Sequence, residues 1–258
     1  MNNDYTAIIL AAGKGTRLRP LTNNTPKCMV PVDGKPLLGR QLDLLTQLGI
    51  EKNIVVTGYL EEKIADPRIT KVHNTEYDTT NMVYSLFCAK NYLSGDVIVA
   101  YGDIIYSEQV LQKLLQSEKD MVIASDEAWL SYWQQRCDDP LSDAETFKKG
   151  AGNRVESLGQ TPSSTDDIEG QFIGLIKFSE NGCQRLKEEY ATANKSDAWE
   201  SGRTLQNAYM TDMLNYFALK GELHYVPIQR GWFEVDTPRD LKIASDQISQ
   251  PFAENTGQ

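Results

Sequence analysis

The sequence predicts an α/β fold, a Rossmann-like three-layer sandwich with a mostly parallel mixed sheet. Two observations support this fold class. Short runs rich in β-branched residues alternate with amphipathic helical patterns, as in βαβ units. A glycine-rich loop also follows the first predicted strand directly, and the carboxyl ends of strands are where open α/β sheets bind ligands. The chain has 258 residues, which is long enough to bury a large core.

Strands and helices alternate over most of the chain. Strands are predicted in "YTAIILA", "NIVVTGY", "RITKVHN", "DVIVAYGD", "DMVIAS", "GQFIGLIKF", "ELHYVPIQ" and "FEV". Helices are predicted in "PLLGRQLDLLTQLG", "NMVYSLFCAKNYL", "SEQVLQKLLQS", "NGCQRLKEEYATA", "TLQNAYMTDMLNYFALKG" and the stretch after "FEV". The first helix has Pro36 at a favoured first position and Gly49 as a C-terminal stop.

The regular alternation breaks in the middle of the chain. The stretch from about residue 126 to 152 is aromatic, polar and irregular, and we interpret it as an insertion rather than a separate domain. We therefore predict a single domain over residues 1–250. Residues 251–258 are predicted to form a flexible tail.

Composition excludes some classes of function. The charged fraction is 24% and the hydrophobic fraction 40%, which is ordinary for a soluble globular protein. The net charge of −10 argues against a nucleic-acid partner, because phosphate backbones need a basic face. Residues 1–40 nevertheless carry a net charge of +4, which leaves −14 for the remainder. This imbalance suits a compact anionic ligand, with chance clustering on a solvated face as the alternative.

Cysteine usage and hydropathy predict a cytoplasmic protein without membrane insertion. The four cysteines are widely scattered and form no CxxC pair or disulfide framework. The two histidines disfavour a structural zinc site. No stretch approaches the roughly 20 apolar residues of a membrane span, and the N-terminus lacks a basic leader.

The most informative segment is "ILAAGKGTRLRPLTNNTPK", Ile9 to Lys27. Glycines after a strand let backbone N–H groups approach a phosphate closely, and Gly13 and Gly15 fit that use. Arg17 can add a forked, permanently charged clamp. A glycine turn with surface arginines is the alternative interpretation.

Two familiar phosphate-binding loops are excluded by spacing. The third glycine of a dinucleotide fingerprint would fall on Leu18, and a Walker loop needs four residues between its glycines. Pro20 prevents a long helix from starting at once, so we expect the loop to stay extended and to lie over a ligand.

Two aspartates are predicted at the ligand-binding edge of the sheet. Asp103 ends the strand "VIVAYGD", and Asp236 follows "FEV". A magnesium ion on a nucleotide takes one or two carboxylates besides phosphate oxygens. Glu234 lies two residues before Asp236, on the same strand face, and is a weaker third candidate. The alternative for either aspartate is a helix N-cap.

The segment "LAAGKGTRLRPLT…TPK" resembles the signature of nucleotidyltransferases that join an NTP to a phosphorylated small molecule and release pyrophosphate. The resemblance continues through "VVTGY", "YGD" and "EVDTPRDL", so it covers most of the chain. It implies in-line attack of the acceptor oxygen on the α-phosphorus without a protein nucleophile. Positioning and charge neutralisation would then provide the catalysis.

The resemblance also implies roles for individual residues. Arg17 and Lys27 would be catalytic, with Lys27 reaching the acceptor as well, and Asp103 and Asp236 would bind Mg²⁺. The following residues would contact the nucleotide: Leu10, Ala11, Ala12, Gly13, Gly15, Thr16, Arg17 and Gly102.

The donor is predicted from the segment "DTTNMVYSLFCA". The Gln-Pro-x-Gly and Glu-Lys-Pro segments of the sugar-1-phosphate branch are absent. The segment is instead similar to the Asn-x-x-Tyr-Ser-Leu stretch of phosphocholine and phosphonate cytidylyltransferases. This similarity implies CTP as the donor, Asn81 and Ser85 as nucleotide-binding residues and Tyr84 as an acceptor-binding residue. Packing within a helix is the alternative for Tyr84.

The insertion, expected on the acceptor side, supplies three further acceptor candidates, and the later segment "AYMTDML" supplies a fourth, Asp212. Trp129 and Trp133 could hold a quaternary ammonium group by cation–π attraction, whereas Arg136 suits an anionic acceptor. Asp212 could pair with an acceptor amine. A small packing cluster is the alternative for the aromatic rings. The acceptor is left open among phosphocholine, 2-aminoethylphosphonate and other small phosphorylated amines or acids.

Two other functions are kept as alternatives. One is a sugar-1-phosphate nucleotidyltransferase that uses UTP or dTTP. The other is a non-catalytic, nucleotide-binding regulatory protein. The oligomeric state is not determined by the sequence, and a homo-oligomer is compatible with it.

Overall fold

A computed structural model describes residues 4–248 of the chain. The strands are β1 (Thr6–Ala11), β2 (Pro31–Val32), β3 (Lys35–Pro36), β4 (Lys52–Thr57), β5 (Ile69–His73), β6 (Val97–Tyr101), β7 (Ile104–Tyr106), β8 (Met121–Asp126), β9 (Phe147–Lys149), β10 (Val155–Leu158), β11 (Gln171–Phe178), β12 (His224–Ile228) and β13 (Trp232–Glu234). The α-helices are α1 (Leu37–Gln47), α2 (Met82–Cys88), α3 (Glu108–Leu115), α4 (Trp129–Arg136), α5 (Glu180–Thr192), α6 (Met210–Leu219) and α7 (Pro238–Gln247).

The central sheet has seven strands in the order β12-β8-β11-β6-β1-β4-β5. Every neighbouring pair is parallel except the two pairs made by β11, which runs antiparallel to both β6 and β8. The mostly parallel mixed sheet predicted from the sequence is therefore confirmed. The carboxyl ends of β1, β4 and β6 lie side by side, which defines one edge for a ligand.

Helices cover both faces of this sheet and complete the predicted three layers. Helices α1, α3, α4 and α7 pack on one face, and α2, α5 and α6 pack on the other. Strand β1 shows why both faces are apolar. Its Ile9 enters the first core while Ile8 and Leu10 enter the second, because side chains alternate along a strand. Strands buried on both faces are near-continuous apolar runs.

Some predicted element bounds are corrected by the structure. The helix expected in "NMVYSLFCAKNYL" ends at Cys88, and a 3-10 turn follows at Lys90–Tyr92. The loop after β1 is not extended, because it forms a 3-10 turn at Thr16–Leu18. The "FEV" strand, β13, pairs with β7 in a small ribbon outside the central sheet.

The insertion is more regular than its sequence indicated. Residues 126–152 include helix α4 and strand β9, and β9 pairs with β10 just beyond the insertion. The predicted tail, residues 251–258, lies outside the described residues, and the single domain over 1–250 stays a prediction. Within the described range, no helix is long and apolar enough to span a bilayer.

Candidate active site

A cleft of about 430 Å³ opens at the carboxyl ends of β1 and β6. Its lining consists of Leu10, Ala11, Ala12, Gly13, Gly15, Thr16, Arg17, Lys27, Cys28, Tyr77, Thr80, Asn81, Met82, Ser85, Tyr101, Gly102, Asp103 and Asp236. The lining includes every predicted nucleotide-binding residue, both predicted catalytic residues and the two predicted metal-binding aspartates. The structure therefore brings these residues together, while their individual roles stay predictions.

The loop after β1 is folded back on itself by Gly15. This residue has a φ of +59°, in the left-handed region that favours glycine. Its carbonyl accepts a hydrogen bond from the Thr22 hydroxyl at 2.7 Å. A Cβ at Gly15 would lie 2.9 Å from the Cβ of Lys27, so the tight turn places Lys27 directly beside the loop. Leu18, fully buried in the first core, anchors the turn from below.

Gly102 brings the end of β6 against the end of β1. Its N–H donates to the Leu10 carbonyl at 2.8 Å. A Cβ at this position would lie 2.8 Å from the same carbonyl oxygen, so a side chain there would push the two strands apart. The next residue, Asp103, consequently projects into the cleft close to the glycine loop.

A lysine joins the two predicted metal-binding aspartates. Lys27 Nζ lies 2.5 Å from Asp103 Oδ2 and also donates to Asp236 Oδ1. The side chains of Lys27, Asp103 and Asp236 are only 15%, 17% and 5% exposed. Burial alone would lower the pKa of Lys27, but the nearby carboxylates, Asp103 first, outweigh it and raise the pKa above its ordinary value. Lys27 is therefore a permanent cation at the floor of the cleft.

Arg17 approaches the same centre from the loop. Its guanidinium pairs with Asp236 Oδ2 and lies 3.2 Å from Asp143 Oδ1. The Arg17 side chain is 62% exposed, so it can turn toward a ligand in the cleft. The centre thus holds two cations and several acids on segments that are far apart in the sequence.

Asp236 is fixed by the start of helix α7. Thr237 is the N-cap residue, and its side chain accepts a hydrogen bond from the Asp240 N–H. Asp240 Oδ2 in return accepts from the Thr237 N–H at 2.8 Å and from the Asp236 N–H at 3.1 Å. This reciprocal capping box holds the backbone of Asp236 rigidly.

The aspartate pair fits a divalent metal ion. Asp103 Oδ1 is buried, and nothing among the described residues donates a hydrogen bond to it. The Lys27 ammonium lies between the two carboxylates and is itself a cation held by oxygen ligands. Carboxylate oxygens are the ligands that Mg²⁺ prefers. Asp103 and Asp236 would hold such an ion together with phosphate oxygens.

The third predicted ligand, Glu234, is paired with an arginine, and its role as a metal ligand stays a prediction. Within residues 4–248, no three acidic, histidine or cysteine side chains converge into a metal cluster. The Glu234 carboxylate instead forms an ion pair with Arg136 at 2.8 Å. Since a nucleotide-bound metal needs only one or two protein carboxylates, the pair alone is sufficient.

Comparison with known proteins establishes the family. Residues 7–160 match the MobA-like NTP transferase domain. Over 249 residues the chain is 35% identical to the CTP:phosphoglutamine cytidylyltransferase of Campylobacter jejuni, with 92% of this chain and 98% of the relative covered. The chain belongs to the MobA-like NTP transferase family. The predicted enzyme class, a nucleotidyltransferase, is confirmed.

Two further proteins are similar to this nucleotidyltransferase. The UTP–glucose-1-phosphate uridylyltransferase AglF of Haloferax volcanii is 37% identical over 127 residues, which cover 46% of this chain and 51% of the relative. The solved structure of the CTP:phosphocholine cytidylyltransferase LicC of Streptococcus pneumoniae superposes with a TM-score of 0.70 at 23% identity. That match covers 95% of this chain and 99% of the other, and it shows that the folds are the same.

The segment with Asn81 and Ser85 forms one wall of the cleft in the nucleotidyltransferase. The Asn81 side chain caps helix α2 by accepting from the Met82 N–H at 2.8 Å. The buried Ser85 hydroxyl accepts a hydrogen bond from Asn74 at 3.0 Å. Both side chains line the cleft, so their predicted contact with the nucleotide is compatible with their positions.

Tyr84 is not among the residues that line the cleft, although Met82 and Ser85 are. Its hydroxyl donates to Glu76 Oε1 at 2.8 Å, and this hydrogen bond, more than burial, raises the pKa of Tyr84 to about 12. Its contact with an acceptor stays a prediction.

The two tryptophans of the insertion belong to the core. Trp129 and Trp133 are 4% and 3% exposed, and their rings meet edge to face at 6.0 Å. The Trp129 indole N–H donates to the Ile168 carbonyl at 3.2 Å. The prediction that these rings hold the acceptor is wrong, because helical spacing turns both toward the sheet.

Arg136 and Asp212 also lie outside the cleft lining. Arg136 is 4% exposed on its side chain and is paired with acids, so it does not reach an acceptor as predicted. Asp212 lies in the first turn of α6, where it accepts from the Tyr209 N–H at 2.7 Å and pairs with Arg203 at 3.0 Å. Its contact with an acceptor amine stays a prediction.

Several lining residues were not predicted. They are Cys28, Tyr77, Thr80, Met82 and Tyr101. Four of them are direct neighbours of predicted residues: Cys28 follows Lys27, Thr80 and Met82 flank Asn81, and Tyr101 precedes Gly102. Adjacency to these motifs could have indicated them. No signal in the sequence marked Tyr77, which reaches the cleft from the turn after β5.

Glu145 is a further acid that the sequence reasoning missed. It lies in the insertion, and its Oε1 accepts from the Thr211 hydroxyl at 3.5 Å. Burial raises the pKa of Glu145 to about 7, and the neighbouring Asp212 and Asp143 add to the effect. Since Asp143 contacts Arg17, Glu145 stands close to the insertion side of the cleft.

Proposed function

We propose that this protein is a cytidylyltransferase that transfers CMP from CTP to a small phosphorylated or phosphonylated acceptor and releases pyrophosphate, with Mg²⁺ as its metal. The observation that carries the proposal is the buried cluster of Lys27, Asp103 and Asp236 beside the glycine loop. Two carboxylates and a fixed cation at this position suit a nucleotide triphosphate with its metal.

The reaction needs no nucleophile from the protein. An oxygen of the acceptor phosphate forms a bond to the α-phosphorus of CTP, and the bond from that phosphorus to the bridging oxygen breaks, releasing pyrophosphate. Lys27 and Arg17 hold the phosphates in line and neutralise charge that develops on them. Asp103 and Asp236 would hold Mg²⁺, which supplies further charge neutralisation.

Cytidine as the base is supported by the relatives. The relative that is matched over 98% of its length is a CTP:phosphoglutamine cytidylyltransferase. The uridylyltransferase is matched over only 51% of its length. The Asn81 and Ser85 segment, which resembles that of cytidylyltransferases, lines the cleft where the base would lie.

The charged groups of the insertion side support a phosphorylated amino acid as the acceptor. Arg203 is 40% exposed, lies 4.1 Å above the Tyr209 ring and pairs with Asp212. Glu145 and Asp143 continue this series of charges toward Arg17. Groups of both signs suit an acceptor with an ammonium and a carboxylate, as in phosphoglutamine. Burial of the insertion tryptophans removes the cation–π argument for phosphocholine.

The test is a matrix of donors and acceptors. CTP, UTP, dTTP and GTP would each be combined with phosphoglutamine, phosphocholine, 2-aminoethylphosphonate and glucose 1-phosphate, with Mg²⁺ present. Pyrophosphate release would be measured and the products identified by ³¹P NMR. We expect turnover with CTP, highest with phosphoglutamine. Turnover only with UTP or dTTP and glucose 1-phosphate would establish the sugar branch instead, and nucleotide binding without turnover would favour a regulatory protein.

The cellular setting is part of the proposal. All four cysteines are unpaired thiols in the structure. Free thiols are typical of a reducing compartment, which supports the cytoplasm as the location.

A further inference from the structure

Arg136 occupies a position that nucleotide binding does not explain. It ends helix α4, and its side chain is 4% exposed. Three carboxylates surround its guanidinium: Asp240 accepts from Nε at 2.9 Å, and Glu234 and Asp143 lie 2.8 Å and 3.4 Å from Nη1. Nε donates the directed hydrogen bond to Asp240, whereas Nη1 meets the other two carboxylates as ion pairs without hydrogen-bond geometry. A lysine ammonium would replace the charge but not the directed Nε–H contact.

Aromatic rings fix the plane of this guanidinium. Its central carbon lies 4.8 Å from the Trp133 ring centre and 5.4 Å from that of Tyr132. Both rings are buried in the core. The Arg136 guanidinium is consequently held by two aromatic rings of α4 as well as by three carboxylates. This geometry forms without any contact to a substrate.

The Asp240 carboxylate connects Arg136 to the backbone of Asp236. Asp240 Oδ1 accepts a hydrogen bond from the Arg136 Nε–H. Asp240 Oδ2 accepts hydrogen bonds from the Asp236 N–H at 3.1 Å and from the Thr237 N–H at 2.8 Å. Asp240 is 1% exposed, so its two oxygens have no freedom to exchange partners with water. Arg136 therefore sets the backbone that carries a predicted metal ligand.

The same helix also holds this backbone at Glu234, two residues before Asp236. The Tyr132 hydroxyl accepts from the Glu234 N–H at 3.0 Å and donates to the Glu234 carbonyl at 3.3 Å. Tyr132 is fully buried and lies one turn before Arg136 on α4. The backbone from Glu234 to Thr237 is thus held by α4 at both ends.

The Asp143 carboxylate connects Arg136 to Arg17 in the glycine loop. Asp143 Oδ2 faces Arg136 at 3.4 Å, and Asp143 Oδ1 faces Arg17 at 3.2 Å. One guanidinium is therefore connected to both sides of the cleft, to Asp236 through Asp240 and to Arg17 through Asp143. Each connection passes through a single carboxylate.

We propose that Arg136 is a positioning residue for nucleotidyl transfer, which fixes Asp236 relative to Arg17 without contacting any substrate. The proposal rests on the proposed function for its effect on turnover, and on the cleft geometry for its effect on metal binding. Partners behind a metal ligand commonly change metal affinity or activity by about 10- to 100-fold when they are removed.

The test uses two variants and one matched control. Arg136→Lys keeps the charge but loses the fork, and Tyr132→Phe removes one hydroxyl while conserving the packing. Arg239→Lys is the control, because Arg239 also joins α7 to α4, by donating to the Gln135 carbonyl at 2.6 Å, but is 48% exposed and pairs with the exposed Asp138. Turnover of CTP with the best acceptor, and Mn²⁺ affinity without nucleotide by EPR, would be measured on folded protein.

We expect kcat to fall by about 10- to 100-fold in Arg136→Lys and by about tenfold in Tyr132→Phe, with Mn²⁺ affinity weakened in the same order. The acceptor KM should stay within about twofold of wild type, and Arg239→Lys should behave as wild type. If Arg136→Lys does not fold, the kcat and the Mn²⁺ affinity of Tyr132→Phe decide the test.

Two results would overturn the proposal. One is wild-type kcat and Mn²⁺ affinity in the folded variants, which would make Arg136 merely structural. The other is a loss confined to the acceptor KM, which would make it a direct binding residue. Absence of turnover in the wild type with every acceptor would refute the proposed function instead, and the Mn²⁺ titration would still decide the role of Arg136.

Discussion

The two sides of the cleft are built in different ways. The predicted nucleotide side is formed mainly by one contiguous segment, Leu10 to Arg17, which presents backbone shaped by Gly15 and by the contact at Gly102. Asn81 and Ser85 add two side chains to it. The insertion side is a network of side chains from distant segments, with Arg136 at its centre. Backbone sites depend on local conformation, whereas side-chain networks depend on tertiary packing. The two sides should therefore respond differently to substitution.

The largest effect should come from the carboxylates where the two sides meet. Asp236→Asn and Asp103→Asn keep the shape of the side chain but remove the charge that Lys27 and a metal ion would share. We expect kcat to fall by about 1,000-fold, since a preorganised electrostatic contact is lost. Steady-state kinetics and circular dichroism would check activity and fold. Asp78→Asn, an exposed acid paired with Lys14 at the rim, is the control and should stay active. Near-normal turnover in either cleft variant would contradict the assigned role.

Lys27→Met should separate catalysis from metal binding. The lysine lies between the two carboxylates, so its removal leaves them free for a divalent ion. We expect turnover to fall by about 100-fold while Mn²⁺ binds more tightly than in wild type. An EPR titration would measure the affinity. Weaker Mn²⁺ binding in this variant would show that the aspartates do not form the metal site.

Gly13→Ala tests whether the nucleotide side works through its backbone. A Cβ at Gly13 would have nothing within 4 Å in the protein, so the fold should be unaffected. The added methyl group lies in the lining of the cleft, and we expect CTP to bind about tenfold more weakly. Calorimetric titration would measure the dissociation constant. Gly39→Ala, in helix α1 with its nearest neighbours at 3.8 Å, is the control and should bind CTP normally. Unchanged CTP affinity in Gly13→Ala would place the nucleotide elsewhere.

Trp129→Phe should give the smallest functional effect and a clear effect on stability. The ring is buried, and the substitution removes both volume and the hydrogen bond to the Ile168 carbonyl. We expect the free energy of unfolding to fall by about 1–3 kcal/mol with kinetic constants near those of wild type. Urea denaturation and an acceptor titration would check both. A rise in the acceptor KM without a change in the other kinetic constants would show that the Trp129 ring binds the acceptor after all.

This contrast also explains which parts were predictable from sequence. The fold, the glycine loop and the positions of the two aspartates followed from strand patterning and local motifs, because these features are encoded by neighbouring residues. The role of Lys27 was implied by the resemblance to the nucleotidyltransferases. The capping box at Thr237 was predictable for the same reason. The burial of Trp129 and the ion pairs of Arg136 were not predictable, because helical spacing does not reveal whether a face turns toward the core or the cleft. The pairing of Glu234 with Arg136 joins residues almost 100 positions apart.

The donor and acceptor matrix tests the central claim most directly. Wild-type protein with Mg²⁺ would be offered each NTP with each acceptor, and the pyrophosphate and the new phosphoanhydride bond would be followed by ³¹P NMR. We predict a CDP-linked product from CTP and a phosphorylated amino acid, with one pyrophosphate released per product formed. Turnover confined to a sugar 1-phosphate with UTP or dTTP would contradict it.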